Sequence, residues 1–225
     1  RKELLQYMRN NQESVWMLQT KRADFSGIAA RFHISPVTAR IIRNRDVEGE
    51  TAIDRYLNGT LDQLYDPHLM KDMDKAASLI LEKIQAGARI RIVGDYDIDG
   101  VCSTYLLYRG LSRCGGHVDY QIPERIRDGY GINESIIRKA KEDGIDTIVT
   151  CDNGIAALEQ VRLAKELGMT VIVTDHHEVV RAEDGSQILP EADAVVNPHR
   201  DDCPYPFAGI CGGVVAYKLV QVLYE

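Results

Sequence analysis

The sequence predicts an α/β fold: a parallel sheet of about five strands flanked by helices, preceded by a small helical region. Three observations carry this. Apolar, β-branched runs alternate with helical stretches from Ala88 onward. Gly110, Gly144 and Gly168 fall where helices should end. Polar clusters recur directly after each apolar run, as they do at the carboxyl ends of parallel strands.

Residues 1–75 read as a helical, mostly polar region and 76–225 as the main domain. Phe25, Ile28, Ala29 and Phe32 lie at helical spacing, and Ser35-Pro36 opens a second helix through Ala39, Ile41 and Ile42. Two helices and a turn suggest a DNA-binding helix-turn-helix. With only Arg40, Arg43 and Arg45 on the second helix, a small packing subdomain is the better reading. Asp66-Pro67 is a turn, and Met70 to Ile84 an amphipathic helix. Strands are then expected at about 90–94, 118–122, 145–150, 170–174 and 193–196, with helices at about 101–113, 133–142, 155–167 and 212–224. Short loops between such units imply a parallel sheet covered on both faces.

The first strand, ending IRIVG, runs into Asp95, Asp97 and Asp99. If the chain stays extended there, these three carboxylates share one face and repel each other unless a cation joins them. A solvated acidic turn is the common fate of a single such Asp. Three in register after a buried strand favour a divalent metal. DYDIDG also opens like a calcium loop, but the twelfth position from Asp95 is Leu106, where that loop needs a bidentate Glu. Later strands are followed by Asp152-Asn153-Gly154 and by Asp175-His176-His177. Carboxylates with one or two imidazoles and no sulfur suit two Mn²⁺ or Mg²⁺ ions, which activate water and stabilise a leaving oxygen in phosphoryl hydrolysis. In an extended chain His176 and His177 point opposite ways, so one is expected to ligate metal and the other to serve the substrate.

Other chemistries lack their parts. Neither G-x-G-x-x-G nor G-x-x-x-x-G-K-[ST] is present. A haloacid-dehalogenase-like reading explains D-x-D but leaves D-N-G and D-H-H unused. Five cysteines without a C-x-x-C pair suit reduced thiols in the cytoplasm. No apolar run is long enough for a membrane span, and RKELLQYMRN has no signal-peptide core. The net charge of −7 argues weakly against a nucleic-acid binder, because much of it lies in aspartates that metals would neutralise.

GDYDIDG, CDNGI, TDHHE and VNPHRDDCPYPFAGICGGVVAYKL, in that order over about 88–224, resemble motifs I to IV of the DHH phosphoesterase superfamily. They are most similar to its RecJ branch of 5′→3′ single-strand-specific exonucleases, and LNGTLDQLYDPHLMKDMDKA resembles the amino-terminal region of that branch. The resemblance implies a metal-dependent nuclease of single-stranded DNA in repair and recombination. Single-strand-binding protein and a helicase are the partners it suggests. It implies that Asp97 and Asp99 bind metal, that Asp152 bridges two ions and that His176 ligates. His177 and Arg125 would face the substrate phosphate, with Tyr130 as a further substrate contact. Relatives carry a histidine four residues before the paired aspartates; here that residue is Val93, and Asp95 is expected to take its place. A further metal-binding aspartate and a second substrate-binding domain are expected beyond Glu225, so isolated activity is not expected. Small-substrate phosphoesterases and metal-free scaffold relatives are the alternatives. The retained Asp97, Asp99, Asp152 and His176 rank the scaffold last.

Overall fold

The structure, a computed structural model, describes residues 21–124 and 131–225. Two compact units divide at Leu64 and Tyr65. Among its described residues the first holds three short α-helices: α1 (Phe25–Phe32), α2 (Pro36–Asn44) and α3 (Glu50–Asn58). Each of the first two starts where its cap predicts. The Asp24 carboxylate accepts from Gly27 N–H at 2.9 Å, and Ser35 Oγ accepts from Thr38 N–H at 3.0 Å. Pro36 occupies the first turn, where its missing N–H costs nothing. Ala29, Ala39, Ile42 and Ile53 form the buried face. Arg40 stacks 4.4 Å from the Phe25 ring centre and Arg43 pairs with Glu48 at 2.9 Å, so two of the basic residues of α2 are engaged internally.

The second unit follows the order α4 (Met73–Gln85), β1 (Arg89–Val93), α5 (Ile98–Arg113), β2 (His117–Gln121), α6 (Glu134–Glu142), β3 (Thr147–Cys151), α7 (Leu158–Glu166), β4 (Thr170–Thr174), β5 (Ala194–Val196) and α8 (Gly212–Leu223). All strand pairs are parallel, in the order β2-β1-β3-β4-β5. This is the doubly wound 2-1-3-4-5 arrangement, whose order reverses between β1 and β3. Loops leaving these two strands diverge there and open a crevice at their carboxyl ends.

Successive strand residues feed opposite layers. Ile90, Ile92 and Val149 pack with Ala77 and Ile80 of α4, Leu107 and Leu111 of α5, and Val215 and Leu219 of α8. Val93, Ile148 and Val173 pack on the other face with Ile136, Ile137 and Ala140 of α6 and Val161 and Ala164 of α7. The central strands β3 and β4 are buried on both faces and read as continuous apolar runs, whereas β1 alternates as RIRIV and the edge strand β2 is partly exposed.

Candidate metal centre

The turn after β1 departs from the extended path expected for Asp95, Asp97 and Asp99. Helix α5 begins at Ile98, three residues earlier than the sequence reading placed it. Asp97 is its N-cap, accepting from Asp99 N–H and Gly100 N–H at 2.9 Å each. A carboxylate cap satisfies free N–H groups and meets the positive end of the helix, and here that outcompetes extension. Convergence comes from the strand-to-helix turn, not from strand periodicity. Gly100 makes the tight turn possible: a Cβ there would lie 2.5 Å from the Asp95 carbonyl oxygen.

Asp95 is 1% exposed, and its Oδ1 has no hydrogen-bond partner among the described residues. Asp99 reaches across to the start of α8. Its two oxygens accept from Gly212 N–H and Gly213 N–H, both at 2.7 Å. The side chain predicted as a metal ligand is thus also the anion seated on that helix N-terminus.

Asp152 follows β3 with φ of 60°, a left-handed conformation that costs a non-glycine residue about 1–2 kcal/mol. Its carboxylate is almost fully buried. His176 Nε2 lies 3.0 Å from Asp152 Oδ1 and 3.5 Å from Asp99 Oδ2. Burial, and then repulsion from Asp99 and Asp97, push the Asp152 carboxyl up to about 7. Gly212 lies directly against it; a Cβ there would sit 2.7 Å from Asp152 Oδ1.

Asp175 is buried but turned to a different task. Oδ2 accepts from Ile155 N–H at 2.9 Å, and Oδ1 accepts from His176 N–H at 2.7 Å and from His177 Nδ1 at 2.7 Å. Burial alone would raise its pKa; the hydrogen bonds from His177 and Ile155 outweigh that and hold it below the usual range. The same bond to Asp175 raises the pKa of His177. The expected opposition of His176 and His177 does not hold. Strand β4 ends at Thr174, the chain bends, and the two rings lie side by side with centroids 4.5 Å apart.

Among the described residues two triads could each hold a cation: Asp95, Asp97 and Asp152, and Asp152, His176 and His177. In each, the candidate ligand atoms all lie within 4.8 Å of one another, and Asp152 belongs to both. The residues fit a hard divalent ion on three counts. The donors are oxygen and imidazole nitrogen, one buried carboxylate oxygen of Asp95 has no partner among the described residues, and burial, with repulsion from neighbouring carboxylates, pushes Asp152 towards its protonated form. Asp99 belongs to neither triad but stands beside His176. Arg125 and Tyr130, the predicted substrate contacts, lie outside the described residues.

Sequence reading missed Asn153. Its amide donates to Val93 O at 3.0 Å and Cys151 O at 2.9 Å, and its Oδ1 accepts from Ile132 N–H at 3.1 Å. It pins together the ends of β1 and β3, where the order reverses. The signal was there: a polar residue directly after a buried strand must find partners.

A partly buried, oxygen-rich cluster at the reversal point of a doubly wound sheet is a candidate divalent-metal site. The chain belongs to the DHH family, whose N-terminal domain matches residues 89–225. Over 92% of its length it is 38% identical to the single-stranded-DNA-specific exonuclease RecJ of Bacillus subtilis, of which it spans 26%. A crystal structure of exonuclease RecJ bound to manganese superposes with a TM-score of 0.61 at 35% identity, covering 69% of this chain and 38% of that one. RecJ from Thermus thermophilus in complex with Mn²⁺ gives 0.56 at 27% identity, covering 93% of this chain and 28% of that one.

Proposed function

We propose that this chain carries the metal-binding half of a single-strand-specific exonuclease that hydrolyses phosphodiesters of single-stranded DNA from the 5′ end. The observation that carries the reading is the pair of triads sharing Asp152 at the sheet's reversal point. Asp95, Asp97 and Asp152 would hold one Mn²⁺ or Mg²⁺, and Asp152 and His176, with Asp99 alongside, a second, while His177, the third member of that triad, would turn to the substrate phosphate. Bound divalent cations neutralise the cluster and supply a water acidic enough to attack a phosphodiester at neutral pH.

The chain's own groups do the rest. Gly212 and Gly213 N–H hold Asp99 in place. Asp175 accepts from His177 Nδ1, which fixes the tautomer and leaves Nε2 to meet a phosphate oxygen. The raised pKa of His177 favours the proton that such a contact needs. Arg125 would clamp the same phosphate and Tyr130 would contact the adjoining nucleotide. The relative to which the chain is 38% identical is named for single-stranded DNA. Five free thiols support a reducing cytoplasmic setting, and among the described residues no helix is long and apolar enough to cross a membrane. Repair and recombination, with single-strand-binding protein and a helicase as partners, follow from the same kinship.

The test uses the intact parent protein with Mn²⁺ and a 3′-labelled, 5′-phosphorylated single strand, with Asp99→Ala as control. A ladder shortening stepwise from the 5′ end, lost in the variant and on blunt duplex, is expected. Long strands left intact while dinucleotides are cleaved would move the activity to small substrates.

A further inference from the structure

Beside the acidic centre lies a cavity of about 490 Å³, within the range of small-ligand pockets, roughly 300–1,000 Å³. Its floor is apolar and fixed. Ile132 and Ile155 line it with only 4% and 1% of their surface exposed, and the methyl groups of Ala156 and Ala157 continue the wall. Asn153, held by three hydrogen bonds, anchors the turn beneath it. His177 lines the cavity and also belongs to one of the two triads, so the cavity opens directly onto the centre.

The lining decides what can enter. Among the described residues no lysine or arginine faces the cavity, whereas the carboxylates of Asp175 and Glu178 do. A phosphate there would meet the Glu178 carboxylate, and among the described lining residues its one cationic partner is His177, which already faces the acidic centre. A neutral planar group with apolar faces and a polar edge fits. Its faces would lie on Ile132, Ile155 and the alanines. Its edge would meet the Gln160 amide, which can donate or accept, and the Glu178 carboxylate at the rim, which can accept from an exocyclic amine. A single amide able to play both roles suits a site that must tolerate every base.

We propose that this cavity receives the nucleobase of the nucleotide whose phosphate is held at the acidic centre. The proposal rests on the phosphodiester reading above and deepens it: the phosphate is bound by charge on one side of His177 and the base by apolar contact on the other. Ala156 and Gln160 then become residues that set how tightly the reacting nucleotide is held, outside the metal-binding set.

Calorimetric titration of the intact parent protein with Mn²⁺ present tests this, using deoxycytidine 5′-monophosphate and, as its baseless counterpart, deoxyribose 5-phosphate. The nucleotide is expected to bind at least about tenfold more tightly, the factor that burying one ring commonly gives. Ala156→Trp fills the cavity from an exposed position and should reduce that preference to about twofold or less, leaving deoxyribose 5-phosphate affinity unchanged. Gln160→Leu, which keeps the volume and removes the amide, should cut nucleotide affinity alone, by about threefold to tenfold. Equal affinity for the two ligands, or a preference surviving both substitutions, would place the base elsewhere and overturn the proposal while leaving the phosphodiester reading intact. If neither ligand binds in the presence of Mn²⁺, the phosphodiester reading fails and the pocket assignment falls with it.

Discussion

Arg91 and Asp152 lie on or just beyond neighbouring strands of one sheet and handle buried charge in opposite ways. Arg91, 8% exposed on β1, forks onto Asp119 of β2 with two 2.7 Å bonds and reaches Asp143 at 3.1 Å. Every charge there has an opposite within the chain. Asp152, just past β3, is as deeply buried, yet its closest charged neighbours include Asp97 and Asp99. The first region is finished when the chain folds. The second sets a buried carboxylate beside like charges, with the His176 imidazole 3.0 Å away. Folding that buries one carboxylate against less buried like charges makes sense where a ligand offsets the cost on binding.

The largest effect expected from this contrast is on stability with metal. Mn²⁺ at about 100 times its dissociation constant should stabilise the chain by about 2.7 kcal/mol for each occupied site, read as a rise in the urea midpoint that EDTA reverses. An unchanged midpoint would remove the metal centre from the account. Next, Arg91→Ala should cost about 2–3 kcal/mol, less than a fully buried pair because Asp119 is partly exposed, and should leave Mn²⁺ affinity unaltered. Loss of metal affinity in that variant would show the two regions to be coupled.

Gly212→Ala sharpens the contrast further. The new methyl would press on Asp152 Oδ1 and strain the N–H that holds Asp99, so about a tenfold loss of Mn²⁺ affinity is expected with only about 1–2 kcal/mol of destabilisation. Proportionate losses in both would make Gly212 a packing residue only.

The smallest effect is in pH, where the two regions have opposite signs. Asp143 is held below its usual 3.8, first by the hydrogen bond from Lys139 and then by that from Arg91. Its contribution is complete above the unfolded value and fades as pH falls through the lower folded one. Asp152 has the reverse shift, from 3.8 to about 7. Between those values the folded, metal-free chain holds a proton that the unfolded chain has released, so stability falls as pH rises from about 4 to 7. Thermal melts of metal-free protein should therefore drop from pH 5 to pH 7, and less so in Asp152→Asn. Identical slopes would show that the carboxylate cluster does not govern this range.

Much of this was legible in the sequence. The β-branched runs, the glycines after helices and the carboxylates after strands locate five strands and their functional ends, because these signals are local. Asp152, His176 and the aspartates of the first turn are recognisable for the same reason. What was hidden depends on distance along the chain. Asn153 reaches Val93 across 60 residues and Asp99 reaches Gly212 across 113, and no local pattern announces either contact. The extended reading of Asp95, Asp97 and Asp99 failed on a competition between two local rules. Alternation favours a strand, while Asp before a helix favours a cap, and the Asp97 cap prevailed because it also satisfies two N–H groups.

Asp152 stands in both triads, placed to serve two cations at once. Mn²⁺ titration of the wild-type chain and of Asp152→Asn, with sites counted by calorimetry, tests it most directly. Two sites in the wild type, both weakened by at least about tenfold in the variant, are predicted. One site surviving in Asp152→Asn with wild-type affinity would show that Asp152 belongs to a single ion and that the shared-carboxylate centre is wrong.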